Sequence, residues 1–432
     1  MRVAFYTLGC KVNQYESEAL SAAFAQIGFE TVPADQPADV YIINSCTVTS
    51  ASDQKTRQLL HRLRRQNPDA VIALTGCFPQ AFPERALQME EADIIRGARD
   101  RLKLLDDVQA VLSSGGRIHA LFPHERGEAF ESMAIGRFHE RTRAFVKIED
   151  GCDKYCSYCI IPKARGPIRS KPLKELESEL HTLSANGYRE IVLVGINLSS
   201  YGRELGCGLT DAVELACSVP GIERVRLGSL EPELLSDGDL MRLAKLPKFC
   251  PQFHLSLQSG CDETLRRMNR RYTSAEYLTL VQKIRRTFEN SAITTDIMVG
   301  FPGETEEEFG ESLAFVKAVG FARAHVFAYS RRTGTRADRM PCQLTRREKE
   351  CRSAAMIAAT NEARAAFLRT QTGLVEPVLF ETCTADGCYE GYTPNYSLVR
   401  VKYDKPLSGK IFPVLITGAE AEYCTGQLVQ EP

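Results

Sequence analysis

The chain lacks a net charge. Its 54 Lys and Arg face 55 Asp and Glu, a formal balance of −1 over 432 residues. No global basic field therefore announces a nucleic-acid partner. It also lacks any apolar run near the ~18 residues that a membrane span needs. The opening MRVAFYTLGC has no long apolar core of a secretory signal and runs straight into a strand-like stretch, so the expected compartment is the cytoplasm. Internal repeats and low-complexity tracts are absent. The cysteine count of 15 is odd, which argues against a complete disulfide framework. In a reducing compartment, clustered cysteines read as metal or redox ligands.

What is present is the composition of a globular protein with a proper core, 44% hydrophobic and 25% charged. At about 150 residues per domain the length suggests roughly three domains. Residues 1–135 alternate strand and helix signals. VAFYTLGC, VYIINSC and AVIALTGC are strand-like, NQYESEALSAAFAQIGF has helical periodicity up to Gly28, and a further helix stops at Asn67-Pro68. That alternation predicts an α/β domain built on a parallel sheet. From 138 to 365, apolar strands at 144–150, 191–197, 224–230, 253–259, 293–300 and 324–330 alternate with helical stretches. They predict a parallel (βα)6 partial barrel with functional groups at the strands' carboxyl ends. The tail, 367–432, has no helical period and breaks its short strands with Gly, Pro, Asn and Asp, so a small antiparallel β-barrel is expected.

Cys10, Cys46 and Cys77 each follow an apolar strand at its carboxyl end. In open α/β sheets ligands bind outside those ends, so three cysteines far apart in sequence are expected to converge on one point, the alternative being three unrelated buried thiols. Cys10 and Cys46 also precede helices, whose N-terminal dipoles favour a thiolate. Cys152, Cys156 and Cys159 are spaced C-x3-C-x2-C with no fourth cysteine close behind. A closed zinc site or a plain ferredoxin wants four protein ligands; three leave an open position, as in a catalytic metal site. The other nine cysteines are expected as small apolar residues. Asn197, Glu231, Ser256, Gln258 and Asp296 fall at later strand ends, where they would either grip a cofactor or serve as loop caps and turn residues. Basic residues are clumped. Lys55, Arg57, Arg62, Arg64 and Arg65 share one predicted helix, and Arg266, Arg267, Arg270 and Arg271 form a second run. Such runs are solvated faces or a polyanion-binding surface.

The C-x3-C-x2-C motif after the first strand of a (βα)6 series resembles the radical S-adenosylmethionine superfamily. There the amino and carboxylate groups of S-adenosylmethionine complete the fourth iron, and Tyr158 matches the aromatic position usual before the last cysteine. The whole chain resembles the methylthiotransferase family through TLGCKVNQYES, NSCTVT, TGC, GCDKYCSYCIIPKARG, FHLSLQSG and TDIMVGFPGET. That family joins a three-cysteine N-terminal domain, a radical S-adenosylmethionine core and a C-terminal TRAM barrel. TLGCKVNQYES and FHLSLQSGCDETLRRMNRRYT look most like its bacterial branch acting on N6-threonylcarbamoyladenosine in tRNA.

The resemblance implies two [4Fe-4S] clusters. One, on Cys10, Cys46 and Cys77, would carry the sulfur to be delivered. The other, on Cys152, Cys156 and Cys159, would cleave S-adenosylmethionine gripped by Tyr158, Asn197, Glu231, Ser256, Gln258 and Asp296. The implied product is the 2-methylthio derivative of the modified adenosine at tRNA position 37. The implied partners are tRNA, an electron donor such as flavodoxin or ferredoxin, and a sulfur source the sequence does not identify. The alternatives are a methylthiotransferase acting on a ribosomal-protein aspartate and a non-catalytic iron–sulfur RNA-binding sensor. One feature departs from the family pattern: residues 367–432 carry five Lys/Arg against eight Asp/Glu. Phosphate contacts dominate RNA affinity, so the arginine runs elsewhere are expected to do most of the holding.

Overall fold

The computed structural model describes residues 1–133, 135 and 142–430. The expected start of the central unit at 138 and the last two residues of the tail lie outside the described residues. Among the described residues no helix is long and apolar enough to cross a membrane.

The N-terminal strands β1 (Arg2–Thr7), β2 (Glu30–Val32), β3 (Val40–Ser45), β4 (Val71–Gly76), β5 (Ile94–Arg96) and β6 (Ile118–Ala120) form one parallel sheet in the order β2-β1-β3-β4-β5-β6. β3 and β4 are buried at every position, as apolar runs covered on both faces must be. Helix α1 (Lys11–Gln26) buries Val12, Tyr15, Leu20 and Phe24 in the core. Helix α2 (Ser50–Gln66) starts where the Thr49 hydroxyl accepts the Ser52 N–H at 3.2 Å, and it stops before Pro68.

The central strands β7 (Arg143–Lys147), β10 (Glu190–Val194) and β11 (Arg224–Leu227) form one parallel sheet. β12 (Ser229–Leu230), β13 (Gln252–Leu255), β14 (Ala292–Val299) and β15 (Arg323–Ala328) form a second. The expected strand 224–230 is thus two strands broken at Gly228, which divides the arc into these two sheets. A short antiparallel pair, β8 (Glu149–Asp150) and β9 (Arg169–Ser170), frames the loop that carries the second cysteine trio.

The arc's open side, between β7 and β15, is covered by the N-terminal domain. On the β7 side, Glu16 of α1 pairs with Lys147 at 2.9 Å. On the β15 side, Ser50 bonds Ser330 at 3.1 Å and Arg332 pairs with Asp53 at 2.9 Å.

The tail forms a closed barrel of β16 (Val375–Cys383), β17 (Cys388–Tyr392), β18 (Leu398–Lys402), β19 (Ile411–Ala419) and β20 (Cys424–Leu428). The expected all-antiparallel pattern is corrected at one seam: β18 pairs with β20 in parallel, because closing five strands forces one pair to run the same way. The helix Arg346–Arg369 crosses the expected boundary at 365–367 and buries Leu368 in the barrel core. Cys217, Cys250, Cys261 and Cys424 are buried as small apolar residues, whereas Cys342, Cys351 and Cys383 are exposed, which corrects the expectation for those three.

A buried charge lattice joins the first two domains. Glu16 contacts Arg101 at 3.1 Å and Lys147 at 2.9 Å and is gripped by Arg165; Lys147 also reaches Asp150 at 2.6 Å. Burial alone would push the Glu16 carboxyl up, but Arg101, Arg165 and Lys147 outweigh it and hold it at about 2, against an ordinary 4.5. A carboxylate with a depressed pKa stabilises the fold above its unfolded pKa and loses that contribution as pH falls through the folded one. Glu16→Gln should therefore cost about 3 kcal/mol or more at pH 7, because three buried cations lose their common partner. The gap from wild type should shrink between pH 4.5 and pH 2. Urea-unfolding midpoints across that range check this, and equal midpoints at pH 7 would contradict it.

Candidate active site

The order β2-β1-β3 makes the β1/β3 boundary the point where chain direction along the sheet reverses, and a crevice opens outside those strand ends. Cys10, the residue before α1, and Cys46, just past β3, sit there. Cys77 opens the short helix α3 (Cys77–Ala81) after β4. Gly9 adopts φ +131°, and a Cβ on it would meet Cys46 Cβ at 2.9 Å. Only glycine lets the Cys10 loop lie this close to Cys46. The Cys10 thiol is exposed and donates to Asn13 Oδ1 at 3.3 Å.

Burial pushes the Cys46 thiol up and the Cys77 thiol up to about 12, and each of the three thiols bears electrostatically on the others. The expectation that a helix dipole favours the thiolate at Cys46 is corrected: enclosure outweighs it, and Cys46 lies three residues before the Thr49 cap. Thiols so enclosed ionise readily only against a cation, which is the donor set a metal cluster takes. The Arg165 Nε–H donates to Cys77 Sγ at 3.2 Å, while its other nitrogens reach Asn13 and Glu16.

The second trio lies on the loop after β8. Gly151, at φ +93°, begins it, and a Cβ there would sit 2.0 Å from the Pro167 carbonyl oxygen. The Cys159 N–H bonds the Cys156 carbonyl at 2.9 Å, which turns the loop back on itself. Burial raises Cys152 strongly and Cys159 to about 12. Arg270 donates to Cys156 Sγ at 3.3 Å and pairs with Glu231 at 2.5 Å. Among the described residues no three His, Cys, Asp or Glu side chains already form a compact metal-binding group. Each trio is a set of neighbouring thiols that a metal would gather.

Arg270 links this loop to two of the strand-end residues, Glu231 and Ser256, whereas Asp296 lies in the cavity beside His254. Tyr158 packs edge-on against Phe301 at 6.4 Å. The Ser256 carbonyl accepts from Arg270 and Tyr272. Asn197 is buried with both amide atoms unpartnered, and Gln258, at φ +64°, has a buried, unpartnered Oε1. Buried amides without partners are costly unless a polar ligand satisfies them. Glu149, unremarked in the sequence, accepts the Asn197 N–H at 2.7 Å and leaves Oε1 unpartnered; burial raises its pKa well above the usual range. No spacing signal marks Glu149 or Arg165, whose partners are remote in sequence.

Of the basic runs, Lys55, Arg57, Arg62, Arg65, Arg266 and Arg271 are exposed. Arg64 is bound to Asp93 at 2.6 Å and to the Pro68 and Ala70 carbonyls. Arg267 is bound to Glu308, and Arg270 to Glu231 and Cys156. These three are structural ion-pair residues rather than free phosphate ligands, because their neighbours in space already satisfy their charge. That corrects the expectation for them.

A cavity of about 610 Å³ lies between the two domains. Cys10 and Cys46 form part of its wall, and Phe145, His254, Asp296 and His325 of the barrel interior face it. Asp296 pairs with His254 at 3.3 Å.

The sequence pattern of a family described as uncharacterized protein family UPF0004 matches residues 2–97, and that of the radical SAM superfamily matches 146–316. A threonylcarbamoyladenosine tRNA methylthiotransferase of Bacillus subtilis (strain 168) is 37% identical over 434 residues, covering 99% of this chain and 96% of that protein. A tRNA-2-methylthio-N(6)-dimethylallyladenosine synthase of Clostridium novyi (strain NT) is 34% identical over 433 residues, covering 98% and 95%. Among solved structures, the radical S-adenosylmethionine methyltransferase TsrM from Kitasatospora setae, with cobalamin and a [4Fe-4S] cluster bound, aligns with a TM-score of 0.59. The alignment covers 78% of this chain and 77% of that one at 14% identity, a likeness of fold.

Burial and exposure separate the thiols of the first trio. In metal-free protein at pH 8, iodoacetamide should label exposed Cys10 roughly a hundredfold or more faster than Cys77, whose thiolate fraction is about one in ten thousand. Raising the pH should speed Cys77 labelling. Peptide mass spectrometry reads both rates, and equal rates would contradict the burial of Cys77.

Proposed function

Because this chain belongs to the methylthiotransferase family of radical S-adenosylmethionine enzymes, we propose that it installs a methylthio group at C2 of N6-threonylcarbamoyladenosine at position 37 of tRNA. The observation that carries the reading is the cavity that Cys10 and Cys46 share with Phe145, His254, Asp296 and His325 of the central domain, where a base would lie against the first thiol set. Relatives named for threonylcarbamoyladenosine and for dimethylallyladenosine stand at 37% and 34% identity. The choice between them rests on the TLGCKVNQYES run beside the cavity.

Cys10, Cys46 and Cys77 would hold one [4Fe-4S] cluster and Cys152, Cys156 and Cys159 the other. The donor sets fit: each is three thiols, two of them raised by burial and one receiving an arginine N–H. When bound, the clusters supply the electron that cleaves S-adenosylmethionine and the sulfur that is delivered. The chain's own side chains bind and orient. Asn197 and Gln258 offer their unpartnered amide atoms to the polar ends of S-adenosylmethionine. Tyr158 of the cysteine loop and Ser256, Glu231 and Asp296 at strand ends are the further residues proposed to grip it, with Glu231 held in place by Arg270. The domain closure keeps water from a substrate whose C2–H is too weakly acidic for a side-chain base to remove. Exposed Lys55, Arg57, Arg62, Arg65 and Arg271 are left to meet phosphates, which attract cations without regard to sequence, while Arg266 pairs with Glu263 at 2.7 Å. A flavodoxin or ferredoxin would supply the electron.

Anaerobic reconstitution should load about eight irons per chain, and replacing Cys152, Cys156 and Cys159 by Ala should halve that. Full iron in the triple variant would remove the assignment. The substrate is tested with two tRNAs, one bearing threonylcarbamoyladenosine and one bearing isopentenyladenosine. Methylthiolation of the first alone is expected, and turnover of only the second overturns the substrate.

A further inference from the structure

The cavity carries a charge imbalance that the reaction itself does not use. Four basic side chains, Lys11, Arg143, Arg226 and Arg323, line it against the single carboxylate of Asp296. Arg143 is neutralised by Glu381 at 2.6 Å and Arg226 by Glu190 at 3.1 Å. Asp296 is taken up by His254. Lys11 and Arg323 remain without an ion-pair partner among the described residues; the Lys11 ammonium only lies over the Phe145 ring, 5.9 Å from its centroid. Both bear on His325, whose pKa is lowered chiefly by burial and further by Arg323 and Lys11. Lys11 and Arg323 are both exposed, and two basic side chains without counterions at one cavity wall are free to make charge-assisted hydrogen bonds to an anionic ligand.

The chemistry of that ligand follows if the proposed substrate is correct, on which this inference rests. The N6-threonylcarbamoyl substituent ends in a carboxylate. Its ureido N–H can close a six-membered hydrogen bond to N1 of the adenine, which turns the threonyl carboxylate toward the C2 edge. Lys11 directly follows Cys10, a residue of the sulfur-delivering trio, so a base presenting C2 to that trio brings its carboxylate toward Lys11. An isopentenyl group carries no charge and gains nothing there. The geometry points to a carboxylate subsite formed by Lys11 of α1 and Arg323 of β15, which reads the threonyl group and rejects uncharged N6 substituents. The subsite joins residues of two domains, so it exists only when the N-terminal domain covers the open arc.

The test uses reconstituted enzyme and two anticodon stem-loop RNAs, one carrying threonylcarbamoyladenosine and one carrying its methyl ester, which removes the charge and keeps the shape. Wild type should bind the acid roughly tenfold or more tighter than the ester, the difference expected for charge-assisted hydrogen bonds. Lys11→Gln and Arg323→Gln should each reduce that preference, and the double variant should abolish it. Arg323 lies on β15 and no cysteine is its neighbour in the chain, so Arg323→Gln keeps the test valid should Lys11→Gln load less iron. Equal binding of acid and ester by wild type, or an undiminished preference in Arg323→Gln, overturns the subsite. Wild-type turnover on threonylcarbamoyladenosine-tRNA separates the two readings. Turnover with no acid preference overturns the subsite alone, and no turnover overturns the substrate and the subsite together.

Discussion

The buried pairing of Glu16 with Arg165 is the contact on which the rest of the architecture depends. Two ions removed from water stabilise nothing unless every charge around them is answered. Here Arg101, Lys147 and Asp150 complete the set, and Asn13 takes the remaining guanidinium nitrogen. Arg165 ends the short helix Ile161–Arg165 that directly follows the second cysteine loop. The same side chain donates to Cys77 of the first trio. One residue is thus tied by the chain to one thiol set and by a hydrogen bond to the other, so their relative position is set by a lattice with little freedom to shift.

That fixed position explains why a partial barrel is sufficient. Seven parallel strands in two sheets leave an open flank, and the N-terminal sheet closes it by contacts at both edges, Glu16 with Lys147 and Asp53 with Arg332. The partly enclosed cavity is lined on one wall by Cys10 and Cys46 and on the other by barrel side chains. Radical chemistry needs that enclosure, because a reactive intermediate exposed to solvent is quenched before it meets its target. The C-terminal barrel is locked on from below by Arg224 and Arg226, which donate to the Tyr392 and Pro394 carbonyls. Those bonds tie it to the central domain, although its own charge is acidic.

Much of this was legible in the sequence because it is local. Alternating apolar runs and helical periods gave the three architectures, and cysteines after three strands of one sheet share an edge by construction. What escaped notice is what depends on partners far away in the chain. Arg64, Arg267 and Arg270 sit in basic runs like any surface arginine, and only the fold brings Asp93, Glu308 and Glu231 to them. Glu149 lies one residue from a lattice carboxylate yet has a raised pKa, because no cation of the lattice reaches it closely enough to offset burial. The helix dipole expected to activate Cys46 was a correct local force overruled by enclosure. The break at Gly228 and the parallel seam of the tail barrel follow from closing curved sheets, a constraint no single strand carries.

The central claim is that the two thiol sets do different jobs in one reaction. It is tested most directly by assaying a variant with Cys10, Cys46 and Cys77 all changed to Ala, shown to be folded, for two products in the same tube. The account predicts that it still cleaves S-adenosylmethionine reductively to 5′-deoxyadenosine, slowly and without coupling, and places no methylthio group on tRNA. Methylthiolation at the wild-type rate would contradict it, and those cysteines would then be core residues only.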